Sequence, residues 1–285
     1  MRLGDICSKI GSGATPRGGK EAYSTSGIPI IRSQNVLDWS FSSNGLAYLN
    51  DEQAKTLSNV EVHQGDILLN ITGDSVARAC IVPSDVIPAR VNQHVAILRP
   101  KEKANATFIL AWLQTNKDLL LKLASSGATR NALTKRMLEG LDINLPSIDI
   151  QNHIAELISL IQSKINLNIK LNGYLLELAT TRFEQALFKS NRVVRLGDIV
   201  KLEDSKRVPL NSRDRDARKG PYPYYGATSI MDYVDDYLFD GIRVLLGEDG
   251  SVIDESGRPI LQYVWGKYWV NNHAHILAAA SDYSD

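Results

Sequence analysis

Cysteine, net charge and long apolar runs are what this sequence is short of. Cys7 and Cys80 are the only cysteines in 285 residues. They lie far apart with no C-x-x-C or Cys/His ligand spacing, which argues against a disulfide framework and a zinc site. No stretch approaches the roughly 18 apolar residues of a membrane span, and the start, Met-Arg-Leu-Gly-Asp, has no signal-peptide core. The chain therefore reads as cytoplasmic, with no membrane partner. Lys plus Arg number 32 and Asp plus Glu 32, so composition carries no basic footprint of a nucleic-acid binder, although charge can still be segregated onto one face.

Catalytic signatures are also missing. The stretch GSGATPRGGKE (11–21) has the glycines and cations of a phosphate-cradling loop, but Gly13 and Gly19 are one residue too far apart for a P-loop. Glu21 stands where a Ser or Thr would hold magnesium, and a carboxylate there repels phosphate. No G-x-S-x-G elbow, H-E-x-x-H pair or EF-hand loop occurs.

What is present is length enough for two domains, an ordinary 44% of hydrophobic residues, and an internal repeat. RLGDICSKI (2–10) recurs as RLGDIVKLE (195–203), and IPIIRSQNV (28–36) parallels YPYYGATSI (222–230). GDILLNITGDS (65–75) resembles GIRVLLGEDGS (241–251), and VNQHVAILRP (91–100) matches VNNHAHILAA (270–279). Blocks in one order with unequal spacing imply a shared scaffold with divergent loops. Short β-branched runs bounded by Gly, Asn, Asp or Pro, and a helical pattern over 106–125, make each copy an α+β domain. The boundaries read as 1–148, 149–190 and 191–285.

The middle segment differs in texture. Ile154, Ile158, Ile161, Ile165, Ile169, Leu176, Ala179, Phe183 and Leu187 recur at steps of three and four, with Asn172 the one polar member of the series. A second row of leucines, Leu157 to Leu178, widens the stripe into one long coiled-coil-type helix. Asp149 sits where it caps the first turn. The stripe needs a partner, because apolar surface left in water forfeits roughly 25 cal/mol per Å². A coiled coil or helical hairpin within an otherwise ordinary protein satisfies the same pattern, and Asn172 suits a register-fixing buried polar residue or a weakly packed crossing point.

The order of these motifs resembles a type I restriction-modification specificity subunit. The chain shows the L-G-D-[IV] opening of each half, the Gly13-Ala14-Thr15-Pro16 turn, Tyr23 and Gly27-Ile28-Pro29. It also shows the S-G-x-x-R segment at Ser126 to Arg130 and the I-x-L-P-x-x-x-x-Q run at Ile143 to Gln151. The Trp that often follows the tyrosine is absent. By the same comparison the second recognition domain, 191–285, is incomplete and a second long helix is missing, which leaves open either a fragment or a half-subunit that works as a dimer.

The resemblance implies a non-catalytic chain that reads two unlike halves of a double-stranded DNA target and assembles with methyltransferase and restriction/translocase subunits. S-adenosylmethionine, ATP and magnesium would then sit on those partners, and no cofactor or metal on this chain. The adenine methyltransferase [ND]-P-P-[YF] motif is indeed absent, with NLPS at 144–147 the nearest approach. The alternative from another class is a coiled-coil protein-interaction scaffold.

Base readout needs Arg or Lys for guanine, Asn or Gln for adenine and hydroxyls for either. The candidate DNA contacts are Arg32, Ser33, Gln34, Asn35, Asn70, Thr72, Ser126, Thr129, Arg130, Asn131, Lys135 and Arg136 in the first copy. In the second they are Lys206, Arg207, Tyr225 and Thr228, beside the basic run Arg213, Arg215, Arg218 and Lys219. The candidate subunit interface is Ile154, Ile158, Ile161, Ile165, Ile169, Asn172, Leu176 and Phe183. His94 and His273 match across the copies and, without accompanying ligands, read as hydrogen-bonded structural imidazoles. Asp74, Glu248 and Asp249 read as turn residues.

Overall fold

The computed structural model describes residues 1–16, 22–125, 131–189, 193–250, 252–254 and 257–280. Contacts divide the chain into Met1–Leu178 and Ala179–Asp285, called units 1 and 2 below.

Unit 1 opens with a short helix α1 (Leu3–Ile6), which buries Leu3 and Ile6 while Asp5 accepts a hydrogen bond from the Arg2 N–H. A four-stranded antiparallel sheet runs in the order β1 (Cys7–Ser12), β8 (Val95–Pro100), β5 (Ile67–Asn70), β6 (Ala79–Ile81). A second sheet runs β3 (Ala47–Leu49), β2 (Ile28–Ile31), β7 (Ala89–Val91), β4 (Glu61–Val62), with β2 and β7 parallel. Helix α2 (Asp51–Thr56) follows β3, capped reciprocally by Asn50 and Gln53. The two sheets share a core made of Ile30, Ile31, Leu49, Val91, Leu68, Val95 and Ile97.

The outer face of the first sheet is covered by α3 (Ala106–Thr115), α4 (Lys117–Ser125) and α5 (Lys135–Glu139). Ile67, Leu68 and Leu69 are therefore all buried, as the continuous apolar run of a strand covered on both faces requires. The segment 106–125 reads from sequence as one helix; it is two. Asn116 leaves the helical conformation at φ −101°, ψ 24°, and its side-chain amide donates to the Trp112 carbonyl. An Asn that satisfies a terminal carbonyl of the first helix competes with helix continuation.

Helix α6 (Ile148–Phe188) is 41 residues long, about 60 Å at 1.5 Å per residue. Asp149 lies inside its first turn rather than ahead of it. The anchor is Gln151, almost wholly buried, whose Nε2 donates to the Pro146 and Lys103 carbonyls and whose Oε1 accepts from the Asn105 N–H. Asn105 itself caps α3 through the Phe108 N–H, so one amide pair ties the long helix to the helical layer over the sheet. Beyond Ile158 the stripe is uncovered: Ile161, Ile165, Ile169, Leu176 and Phe183 are all exposed.

Unit 2 repeats the design. Helix α7 (Leu196–Ile199) repeats α1, with Asp198 accepting from the Arg195 N–H. One sheet runs β14 (Leu261–Val264), β13 (Arg243–Gly247), β16 (Ala274–Ala279), β9 (Val200–Leu202). The other runs β11 (Ile230–Val234), β10 (Lys219–Tyr225), β15 (Lys267–Val270), β12 (Phe239–Asp240), again with its two inner strands parallel. A short helix, α8 (Ser212–Ala217), precedes β10. The hydrogen bonds repeat too: Asn92 N–H to Ile31 carbonyl matches Asn271 to Tyr225, and Lys101 to Ile6 matches Ala280 to Ile199.

One block is offset from its sequence match. Ungapped, Ile67 falls on Arg243; strand pairing sets Ile67 opposite Leu98 and Val244 opposite Leu277, so Val244 is the counterpart. A slip of one residue would turn every side chain of β13 to the wrong face, and burial of Leu245 opposite Ile276 prevents it. Gln151→Leu leaves partly buried partners of the amide unpaired and is expected to lower unit 1 stability by roughly 1–3 kcal/mol, read by thermal denaturation.

Candidate nucleic-acid interface

Because β2 and β7 are parallel neighbours, the turns that follow them, 32–35 and 92–94, leave the second sheet at the same end. β5 ends there as well, with Asn70 opposite Val95, and opens into the loop 71–78. Thr72 pairs with Ala132 and the Gly73 N–H reaches the Asn131 carbonyl, which brings the start of 131–136 alongside. These loops enclose an open cleft of about 460 Å³ lined by Ser33, Gln34, Thr72, Gly73, Asp74, Ser75, Arg78 and His94.

The candidate readers divide by burial. Gln34 is exposed, and Ser33 and Thr72 are half-buried at the cleft wall. Asn35 and Asn70, two residues expected to touch bases, are fully buried. Asn35 Nδ2 donates to the Ser42 and Asn44 carbonyls and its Oδ1 accepts from the Arg32 N–H. Asn70 Nδ2 donates to the carbonyls of Ser33 (2.9 Å) and Val36 (3.2 Å). Their amides hold the 33–36 turn in place and cannot reach a duplex. Arg32 is also engaged, its guanidinium on the Gly45 carbonyl and over the Tyr23 ring. Asn131, Lys135 and Arg136 are exposed, with Lys135 paired to Glu139 at 3.5 Å. Ser126, Thr129 and Arg130 lie outside the described residues.

Arg78 lines the cleft and was not singled out by the sequence reading. It is exposed at the cleft, and its backbone closes the loop by accepting from Asn70 and donating to Ser75. No local motif marks it, since the loop folds back only once β5 and β6 pair. With Gln34, Asp74 and the hydroxyls of Ser33, Thr72 and Ser75, the cleft offers a guanidinium suited to guanine, an amide suited to adenine and a carboxylate suited to the cytosine amino group.

His94 Nδ1 lies 2.6 Å from Thr72 Oγ1, and its N–H donates to Asn92 Oδ1. In unit 2, His273 Nδ1 lies 2.8 Å from Asp249 Oδ2, and its N–H donates to Asn271 Oδ1. Gly73 and Gly250, each in the left-handed region, follow Thr72 and Asp249 respectively. The matched histidines thus brace matched loops, through a hydroxyl in one copy and a carboxylate in the other. Among the described residues no group of three His, Cys, Asp or Glu side chains is placed to hold a metal ion. Both cysteines are free and buried, and burial pushes each thiol up to about 12.

In unit 2, Thr228 is exposed at the turn after β10. Tyr225 is not a free reader: its ring meets Tyr268 edge-on in the core, and burial raises its phenol above the ordinary range. Arg207 Nη1 donates to Glu248 (2.7 Å) and to the carbonyls of Asn272 and Ala274, while Lys206 pairs with Glu203. The neighbouring basic run is largely neutralised in place, Arg215 and Lys219 by Asp232 and Arg218 by Asp235.

The sequence pattern of the family described as type I restriction modification DNA specificity domain matches residues 1–175 and 189–283. The chain belongs to that family. A chain named as a type I restriction enzyme specificity subunit from Haemophilus influenzae is 39% identical over 82 residues, 29% of this chain and 20% of the relative. The MjaX specificity subunit of Methanocaldococcus jannaschii is 22% identical over 205 residues, 67% of this chain and 48% of that one. The chain thus spans less than half the length of the curated relatives it matches. The crystal structure of the S subunit from M. genitalium aligns over 99% of this chain and 72% of its own at a TM-score of 0.53 and 14% identity, a likeness of fold. Membership of a DNA specificity family agrees with loops rich in polar side chains on a rigid scaffold.

Asn70→Ala frees the Ser33 and Val36 carbonyls and is expected to cost roughly 1–3 kcal/mol by denaturant titration. A second outcome concerns acid. Burial works against charge on Asp204, but the Ile276 N–H, the His275 imidazole and Arg207 outweigh it and hold the carboxyl below its ordinary range. A lowered folded pKa contributes stability that is complete above roughly pH 4 and lost as pH falls through the folded value. The stability gap between the native chain and Asp204→Asn, present at neutral pH, is expected to close below about pH 4 in parallel thermal melts.

Proposed function

We propose that the chain is a DNA-reading subunit without catalysis of its own, working in the cytoplasm, in which each unit reads one half of a two-part, asymmetric target. The observation that carries this is the convergence of the 33–34 turn, the 72–78 loop and His94 on one open polar cleft in unit 1, on a scaffold that unit 2 repeats with different side chains. Unlike loops on like scaffolds suit unlike half-sites. Direct base contact falls to Gln34, Ser33, Thr72, Asp74 and Arg78, and phosphate contact to Lys135 and Arg136. Asn35 and Asn70 act by positioning.

In this reading α6 is both ruler and seam. Its length exceeds one turn of duplex, about 34–36 Å, which suits it to setting the gap between half-sites. Its uncovered apolar stripe is the contact for methyltransferase subunits, and restriction/translocase subunits join the same assembly. S-adenosylmethionine, ATP and magnesium are bound by those partners. The same stripe also favours a second reading, two copies paired through α6 as half-subunits; the mass of the chain alone and with methyltransferase separates the two. The experiment is to add or remove whole helical turns beside Asn172 and map methylated sites in cells carrying the assembled system. The expected result is a changed gap with both half-sites kept, and an unchanged gap overturns the ruler.

A further inference from the structure

The two units share a scaffold but not the connection that leaves the end of it where the cleft lies. In unit 1, β2 pairs antiparallel with β3 and parallel with β7; in unit 2, β10 pairs the same way with β11 and β15. β3 and β11 are therefore counterparts. The link in unit 2 is the turn 226–229, closed by the Gly226 N–H on the Ser229 carbonyl. The link in unit 1 is the loop 32–46, at the roughly 12–15 residues beyond which such connections are uncommon without a function.

This loop has two parts. Residues 36–41 are tied to the body of unit 1: Val36 bridges Phe41, the Trp39 N–H donates to the Ala79 carbonyl, Trp39 packs on the core beneath the helical layer, and Asp38 pairs with Lys117 of α4. Residues 42–45 return beside the cleft. There the Ser42 N–H donates to the Asn35 carbonyl at 2.8 Å, the buried Asn35 amide donates to the Ser42 and Asn44 carbonyls, and Arg32 and Gln34 both donate to the Gly45 carbonyl. The Leu46 N–H on the Ser43 carbonyl closes the tip, and Ser42 Oγ accepts from the Asn44 N–H. Gly45 sits at φ +63°, and a Cβ there would come within 2.7 Å of Gln34 Nε2. The tip is thus clamped against Gln34, which lines the cleft.

None of these bonds uses the Ser43 hydroxyl or the Asn44 side-chain amide, and both residues are exposed. Fixing a polar tip costs conformational entropy that exposed side chains do not return to the fold. We propose that Asn44 is a base-reading residue of unit 1, its amide meeting the major-groove edge of an adenine at a base pair neighbouring the one reached by Gln34, with the Ser43 hydroxyl beside it. A carboxamide presents one donor and one acceptor together, the pair that adenine N7 and N6 call for. Its backbone is held by Asn35 and its neighbour Gly45 by Arg32 and Gln34, which supplies the fixed geometry that a two-point contact needs. The short turn of unit 2 has no counterpart to Asn44, so the contact belongs to one half-site. The proposal rests on the reading of the cleft as the DNA surface.

The test begins by mapping the methylated target of the native assembled system in cells. The purified assembly with methyltransferase subunits then methylates duplexes in which each base pair of both half-sites is varied in turn, with the native chain, Asn44→Ala, Gln34→Ala and Arg78→Ala. Asn44→Ala is expected to cut the preference at a single A·T pair by about five- to a hundredfold while its thermal melt stays that of the native chain. That pair is expected to lie in the same half-site as those relaxed by Gln34→Ala and Arg78→Ala, and to differ from them. An unchanged profile for Asn44→Ala beside relaxed ones for Gln34→Ala and Arg78→Ala overturns the proposal and keeps the cleft. Slowing of Asn44→Ala by one factor on every duplex also overturns it, assigning Asn44 to a phosphate. Unchanged profiles for all three variants overturn both the proposal and the cleft.

Discussion

The structure depends on one constraint: a sheet whose strands are apolar on both sides must be covered on both sides. In unit 1 the run Ile67-Leu68-Leu69 satisfies it by placing the second sheet on one face and α3 to α5 on the other. Burying each such side chain contributes roughly 1.5–3 kcal/mol, far more than any surface ion pair in the molecule. The rest follows from that cover. Because α3 lies on the sheet, Asn105 can cap it, and because Asn105 is held there, Gln151 finds a partner and α6 starts where it does.

Polar residues near the cleft fall into those that position and those that face outward. Asn35 and Asn70 look alike in sequence to residues that read adenine, yet both are sealed under the turns they support, with their amides on backbone carbonyls. The donors of both buried amides are met by backbone carbonyls, and those bonds define the loop shape. His94 braces the opposite wall through Thr72, and in unit 2 His273 holds the matching loop through Asp249. The outward residues Asp74 and Arg78 are exposed at the cleft, and Gln34 beside them donates its amide to the Gly45 carbonyl at 3.3 Å.

Unit 2 shows the same scaffold under different electrostatics. Its loops are tied by carboxylates, Asp204, Glu203, Glu248 and Asp249, each engaged with Arg or His. The basic run at 213–219, which looks in sequence like a phosphate track, is mostly internal pairing with Asp232 and Asp235. A strand partner more than ten residues away neutralises it, and linear charge counting does not see such partners.

Sequence alone determined the repeat, the long helix and the family, because these rest on local periodicity and on the order of motifs. The matched L-G-D-I blocks became matched capped helices, and the three-four spacing after Ile154 became a single helix. Tertiary structure decided three things. It shifted the β13 match by one residue, since register is set by which face is buried. It turned Asn35 and Asn70 inward and Arg78 outward, since burial depends on strands distant in sequence. And it left Leu202, Leu261 and Tyr263 of unit 2 exposed, since a strand's own apolar pattern does not say which neighbours pack against it.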